Sequence, residues 1–136
     1  LAAATAYLTT QDVEQTAANL ESIAENVNLE ETSEEFKSLY ETLLNTIGLD
    51  LSATYYTEGY TAYRNEDFNL AIEQLTKAVY YDATNVDALY NLGNAYRRNG
   101  DTENATATYQ KVVTLFPDTD RARKSQQYID EMTVAN

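Results

Sequence analysis

Two stretches of the sequence place tyrosine and arginine side chains at helical spacing. The first holds Tyr56, Tyr60, Tyr63 and Arg64, and 34 residues later the second holds Tyr90, Asn94, Arg97 and Arg98. Side chains at positions i, i+4, i+7 and i+8 share one face of an α-helix. Arginine binds carboxylates through paired hydrogen bonds, and tyrosine offers rigid contact area. This chemistry favours recognition of an acidic group.

The residues that most often carry catalysis are missing or isolated. The chain has no histidine and no cysteine, which removes the commonest general base, thiol nucleophiles, thiolate metal sites and disulfides. The serines lack both a histidine partner and a Ser-x-x-Lys spacing. The acidic run from Glu30 to Glu35 lacks the alternating ligands and glycine of a calcium loop. A hydrolase that uses carboxylates alone would need a pocket, and nothing in the pattern marks one. We therefore expect no enzymatic activity, no cofactor and no metal.

The charge is strongly one-sided. The chain carries 22 acidic and 9 basic residues, a formal net charge of -13, which argues against a nucleic-acid partner because phosphate binding rests on lysine and arginine. No apolar run approaches the roughly 18 residues of a membrane span, so we expect no membrane insertion by this segment. Because the chain begins with Leu1, we expect it to be cut from a longer protein.

The elements that must position the tyrosines and arginines are helices. Apolar residues recur at helical spacing almost everywhere, and no stretch alternates long enough to propose a strand, so we expect an all-α fold. The pattern predicts the end of a helix over residues 1–8 and another helix over 11–27. It predicts another over 33–47, with Thr32 and Glu35 as a capping box and Gly48 at its end.

Residues 52–85 and 86–119 form a 34-residue repeat. Matching pairs are Gly59 with Gly93, Asn65 with Asn99, Asp67 with Asp101, Ala71 with Ala105 and Lys77 with Lys111. The second unit has the large-x-x-Leu-Gly-x-x-Tyr, Ala-x-x-x-aromatic and Pro pattern of tetratricopeptide repeats. It is carried by Leu89, Leu92, Gly93, Tyr96, Ala105, Tyr109 and Pro117. From residue 52 to about 132 the sequence resembles this family.

The resemblance implies a right-handed α-α superhelix of about eight helices in a single domain, residues 1–136. Its parts are a degenerate helix pair (1–29), an extra helix (32–48), two repeat units (52–85 and 86–119) and a capping helix (119–133) that Asp118 begins. In the family a small residue lets paired helices approach closely, so Gly93 is predicted to face Ala105 and Tyr109. Leucine at Gly93 should then cost about 1–3 kcal/mol through overpacking.

The first unit departs from the family pattern. Glu58 stands where leucine is expected, Ala62 where tyrosine is expected and Ala83 where proline is expected. We interpret Glu58 as a carboxylate left in water at the edge of a helix. A buried functional carboxylate is the less favoured alternative.

In tetratricopeptide proteins the face that carries the tyrosines and arginines lines a concave groove, which binds extended peptides or partner helices. The resemblance thus implies a peptide-binding groove that includes the start of the capping helix, and five of the nine basic residues belong to it. The predicted groove residues are Tyr56, Tyr60, Tyr63, Arg64, Tyr90, Asn94, Arg97, Arg98, Arg121, Lys124 and Tyr128.

We therefore predict a module that binds another protein or peptide, with an acidic or C-terminal segment as the favoured ligand. In a competing interpretation the arginines are solvated or pair with Glu58, Glu66 and Asp87; in another the chain itself fills the groove. A chaperone adaptor is disfavoured, because Tyr56 and Tyr60 occupy two positions of the family's carboxylate clamp.

The alternative function is a structural spacer or self-associating segment of a larger membrane-anchored envelope protein. Similarity of the last repeat to bacterial cell-envelope tetratricopeptide proteins favours an extracytoplasmic location over a cytoplasmic one.

Overall fold

The computed structural model describes residues 10–26, 28 and 31–134. Within these residues the regular structure is helical and contains no strand, which confirms the all-α prediction. The helices are α1 (Thr10–Asn26), α2 (Glu34–Arg64), α3 (Phe68–Tyr81), α4 (Val86–Arg98), α5 (Thr102–Leu115) and α6 (Asp120–Val134). None of them is both long enough and apolar enough to span a membrane.

The described residues form six helices, whereas the sequence predicted about eight. One difference is that the predicted end at Gly48 is wrong, since α2 continues through Gly48 to Arg64. Ile47 and Leu51 are buried on either side of it, and their burial offsets the roughly 1 kcal/mol that a glycine costs inside a helix. The other is that the predicted helix over residues 1–8 lies outside the described residues.

The chain divides into two compact units between Leu51 and Ser52. In the first, Ala17, Leu20, Tyr40 and Ile47 are buried, and the Tyr40 hydroxyl donates a hydrogen bond of 3.3 Å to the carbonyl oxygen of Leu20. This ties α2 to α1.

The cap of α2 lies one residue beyond the predicted capping box. Ser33 Oγ accepts the backbone N–H of Phe36. Glu34 and Glu35 consequently occupy the first turn of the helix, where negative charge is favourable.

In the second unit each helix after α2 begins with a polar side chain that accepts a backbone N–H three residues later, as expected of N-caps. The capping residues are Asp67, Asn85, Asp101 and Thr119. The prediction that Asp118 caps the last helix is therefore wrong by one residue. Asp118 instead has a positive φ of 66° and forms the turn that precedes Thr119.

Two apolar clusters form the core of the second unit. The α2–α4 cluster contains Ala62, Ala71, Leu75, Leu92 and Ala95. The α4–α6 cluster contains Leu89, Tyr90, Ala105, Tyr109, Val112 and Ile129. Helix α4 contributes residues to both clusters, so it connects the packing of the first repeat unit to that of the second.

Close helix contact occurs at the two equivalent glycines. A Cβ atom added to Gly59 would lie 2.7 Å from Leu75 Cγ, and one added to Gly93 would lie 2.7 Å from Tyr109 Cδ1 and Cε1. Both distances are too short for a real side chain, because packed carbon atoms stay about 3.5–4.0 Å apart. The packing interpretation of Gly93 is therefore confirmed, with Tyr109 as the side chain opposite it.

Candidate functional site

The eleven predicted groove residues, called here the tyrosine–arginine face, belong to the second unit. Ring stacks, cation–ring contacts and hydrogen bonds join ten of them into one network through Asn91 and Tyr109. The eleventh, Arg64, is exposed in the last turn of α2 and takes no part in these contacts. The network can be followed from α2 across α4 to α6.

A row of stacked tyrosines lies along the end of α2. The ring centres of Tyr56 and Tyr60 are 5.9 Å apart, and those of Tyr60 and Tyr63 are 6.4 Å apart. These separations are typical of offset-stacked aromatic pairs. Tyr60 keeps 38% of its surface exposed, so the row presents aromatic area to solvent.

Asn91 of α4 connects this row to the rest of the face. Its Nδ2 donates to the Tyr56 hydroxyl at 3.4 Å and to the backbone carbonyl of Asp87 at 2.9 Å, and its Oδ1 accepts from Asn94 Nδ2 at 3.3 Å. Partial burial and the nearby Asp87 carboxylate raise the pKa of Tyr56 above its ordinary value. Tyr56 therefore stays neutral in the ordinary pH range.

Tyr109 of α5 is the centre of the network, although it is fully buried. Its hydroxyl donates to Asn94 Oδ1 at 2.5 Å and accepts from Arg97 Nε at 3.1 Å. Its ring stacks on Tyr128 at 5.4 Å and tilts against Tyr90 at 6.1 Å. Burial raises the pKa of Tyr109 far above its ordinary value. The phenol thus remains a neutral donor that fixes one asparagine and one arginine.

Two cations lie over the same ring on α6. Arg97 Cζ is 4.1 Å and Lys124 Nζ is 5.5 Å from the centre of the Tyr128 ring, within the range of cation–π attraction. Burial alone would lower the pKa of Arg97, but its hydrogen bond to Tyr109 and the neighbouring phenols raise it overall. Arg97 is therefore a permanent positive charge.

Two further arginines of the face are paired with carboxylates. Arg98 Nη2 lies 2.7 Å from Glu66 Oε1, and its guanidinium lies 4.9 Å from the Phe68 ring centre. Arg121 Nε lies 3.1 Å from Asp87 Oδ1, and its guanidinium lies 4.5 Å from the Tyr90 ring centre. The competing interpretation, pairing with nearby acids, describes these two arginines.

Among the described residues, Glu58 forms no ion pair with an arginine. The side chain is exposed, and its Oε2 accepts a hydrogen bond of 2.9 Å from Gln74. This is the surface carboxylate that the sequence favoured over a buried functional one.

The members of the face differ in how much of each side chain is exposed to solvent. Tyr90 and Asn94 are each only 6% exposed, so they hold the neighbouring side chains from below and offer little contact area. Tyr109, assigned from sequence only to helix packing, is the hydrogen-bonding centre of the face. A polar atom at the tip of a core residue is the signal that would have found it, since a buried tyrosine hydroxyl usually has a partner.

The described residues contain neither a metal-binding cluster nor a buried carboxylate. They contain no cluster of three histidine, cysteine, aspartate or glutamate side chains that could hold a metal ion. Their buried polar side chains are serine, asparagine and threonine, without a carboxylate. A depression of about 530 Å³ opens beside the face and is lined by Tyr90, Thr119, Asp120, Arg121 and Lys124.

The comparison with known families agrees with this geometry. Residues 56–119 match the family model of the tetratricopeptide repeat. This segment is similar to tetratricopeptide repeats. Such repeats form a non-catalytic fold that generally mediates protein–protein interaction. No curated protein matches the chain.

Proposed function

We propose that the tyrosine–arginine face binds a peptide or helix of another protein, with an acidic segment as the preferred ligand. The observation that carries the proposal is the stacked row of Tyr56, Tyr60 and Tyr63, which leaves Tyr60 partly exposed on a rigid helix. Aromatic side chains held in place in this way provide contact area at low entropic cost, as binding hot spots do.

The charge distribution supports an acidic ligand. The protein has a net charge of -13, yet five of its basic residues belong to this one face. Charge of this kind mainly adds specificity and association rate rather than raw affinity. Binding should accordingly weaken as salt is raised, because partly exposed charges are screened within about 8 to 10 Å at ordinary ionic strength.

The alternative function is a spacer or self-associating segment of a larger envelope protein. The ion pairs Arg98–Glu66 and Arg121–Asp87 favour it. The first joins α4 to the turn before α3 and the second joins α6 to α4, and each neutralises a charge that a ligand could use. Under this alternative the face stabilises the repeats and has no ligand.

A random peptide library displayed with free C-termini tests the proposal. We expect wild type to enrich acidic peptides, and Tyr60→Ala to reduce their binding about tenfold or more, the loss of one hot spot of about 1.4 kcal/mol. Tyr80→Ala is the matched control, since Tyr80 is a tyrosine of α3 outside this face and is 72% exposed.

The outcomes separate the two functions. Enrichment that only Tyr60→Ala weakens supports the peptide-binding face. No enrichment by the folded wild type contradicts it. Sedimentation that shows a concentration-dependent dimer, weakened by Tyr60→Ala, would instead favour self-association.

A further inference from the structure

One side of α2 in the first unit carries apolar side chains that the core of that unit does not enclose. Phe36, Leu39 and Leu43 lie at positions i, i+3 and i+7, so they share one side of the helix. Phe36 keeps 38% and Leu39 keeps 44% of its surface exposed, whereas Leu43 is partly buried. Tyr40, which is buried and bonded to α1, lies beside them. The three residues are called here the apolar row of α2.

The apolar surface of α2 is wider than one neighbouring helix covers. From Phe36 to Ile47 the sequence has six apolar residues, which spread over roughly 140° of the helix at about 100° per residue. A helix that packs on one layer usually needs a stripe of about 100°. Among the described residues of this unit, α1 is the one other helix. It contacts the middle of the apolar surface at Tyr40, and the apolar row remains at the edge.

The charge around the apolar row is almost entirely negative. Residues 10–51 hold ten acidic residues and one basic residue, Lys37. The charge of Lys37 is already balanced, because its Nζ lies 3.2 Å from Glu34 Oε1. Glu35 is exposed and stands four residues before Leu39, so it borders the row. An apolar row bordered by negative charge is complementary to an apolar stripe bordered by positive charge.

The shape of the apolar row fits a helix. The row follows the axis of α2 for about 10 Å, at 1.5 Å per residue, which is about two helical turns. Side chains at this spacing form a ridge that packs into the groove of a second helix. A partner helix with leucine-like residues on one side and lysine or arginine at its borders would cover the row. A second copy of this chain fits less well, because it would bring the same acidic residues against the row and like charges repel.

We propose that the apolar row of α2 docks a basic amphipathic helix of another protein. The row lies outside residues 56–119, the part of the chain that matches the tetratricopeptide repeat. The inference does not depend on the function proposed for the tyrosine–arginine face, and the two surfaces prefer ligands of opposite charge.

Two acetylated and amidated helical peptides test the site by titration calorimetry with the full chain. One repeats the heptad Leu-Lys-Lys-Leu-Leu-Lys-Lys, and the other has glutamate in place of each lysine. The titrations are made at about 0.15 M salt, where general attraction to an acidic protein is screened. We expect wild type to bind the lysine peptide and to bind the glutamate peptide much more weakly.

The apolar contribution is measured with Phe36→Gln and Leu39→Gln together. This pair should weaken binding of the lysine peptide at least about tenfold, or about 1.4 kcal/mol, because the exposed parts of two large side chains leave the contact. Leu70→Gln with Leu115→Gln is the matched control, since these leucines of the second unit are 41% and 58% exposed. The control should weaken binding less than about twofold, as expected of residues outside the contact.

The charge contribution is measured with two single variants of equal charge change. Glu35 borders the apolar row, whereas Glu41 is exposed on the same helix but stands at no helical spacing from the three row residues. Glu35→Gln should weaken binding of the lysine peptide about two- to threefold, as for one exposed ion pair. Glu41→Gln should have a smaller effect.

Several outcomes would overturn the site. They are absence of binding by folded wild type, equal binding of the glutamate peptide, and equal weakening by the row pair and the control pair. Sedimentation that shows a dimer abolished by the row pair would assign the row to a second copy instead. Tyr60→Ala should leave binding of the lysine peptide unchanged, so this site and the function proposed for the tyrosine–arginine face can fail separately.

Leu39→Gln alone guards against misfolding, because Leu39 is the more exposed of the two substituted residues. It should weaken binding of the lysine peptide without a change in melting temperature. A lower melting temperature with unchanged binding would show that the chain itself covers the row, and it would overturn the site.

Discussion

The two repeats of the second unit use the same backbone contact with different side chains. In the first, Gly59 faces Leu75, and in the second, 34 residues later, Gly93 faces Tyr109. Both large residues are fully buried. Leucine ends in methyl groups, whereas tyrosine ends in a hydroxyl that reaches Asn94 and Arg97. The residue opposite the glycine therefore joins the second core to the tyrosine–arginine face by hydrogen bonds, whereas Tyr56 and Tyr63 of the face meet the first core by packing.

The largest effect is expected from filling the glycine position of the second repeat. Gly93→Leu should destabilise the protein by an amount near the upper end of about 1–3 kcal/mol, because Tyr109 cannot move aside without losing its hydrogen bonds and its stack on Tyr128. The measurement is the free energy of unfolding in urea. Gly59→Leu is the matched change. Its added Cβ would also meet the backbone nitrogen of Leu75 at 3.1 Å, but no polar contact would be lost, so we expect it to cost less. Equal losses would show that the hydroxyl network does not hold Tyr109.

Tyr109→Phe removes the connection while keeping the shape. We expect a loss of about 1–3 kcal/mol, because Asn94 Oδ1 and Arg97 Nε would lose a partner inside the protein. Tyr96→Phe is the control, since Tyr96 packs against both clusters without forming this network. If both variants cost the same, the hydroxyl of Tyr109 has no special role.

The same tyrosine also gives a pH signature. Its pKa is raised in the folded protein, whereas in the unfolded chain it ionises near the ordinary value of about 10. Its contribution to stability is therefore complete below about pH 10 and is lost as pH rises toward the raised folded value. Wild type should lose stability more steeply than Tyr109→Phe in this alkaline range. Parallel curves would contradict the assignment.

The smallest effect is expected at the turns. Glu66 has a φ of 61° and Gly100, its counterpart in the second repeat, has a φ of 81°. A left-handed conformation costs a residue other than glycine about 1–2 kcal/mol, and the exposed Glu66–Arg98 pair, which is screened by solvent, offsets only part of this cost. Glu66→Gly should thus be neutral or stabilise by up to about 1 kcal/mol in thermal unfolding. Gly100→Glu should destabilise by a similar amount, and a loss in Glu66→Gly would show that the ion pair is worth more than the strain.

Helical periodicity and the 34-residue spacing were sufficient to predict the helix pairs and the contact at Gly93. The end of the 33–47 helix was predicted wrongly at Gly48, because burial of Ile47 and Leu51 outweighs the local preference of glycine. The helix caps were displaced to Ser33 and Thr119, since neighbouring serine, threonine and aspartate residues are all competent caps.

The face was predictable in position but not in its internal pairing. Spacing alone put the tyrosines and arginines on one side of their helices. It could not show that Tyr90 and Asn94 are buried, or that Arg98 and Arg121 pair with carboxylates of a turn and of another helix. Those contacts depend on the distance between helices, which a one-dimensional pattern does not contain.

Helix α4 packs Leu92 and Ala95 into the α2–α4 cluster and Leu89 and Tyr90 into the α4–α6 cluster. Loss of either cluster would remove the apolar contacts on one side of this helix. The second unit should therefore unfold as one cooperative block rather than repeat by repeat. Amide hydrogens in the middle of α4 should exchange with solvent only through global opening, whereas those near the outer end of α6 should exchange through local fraying.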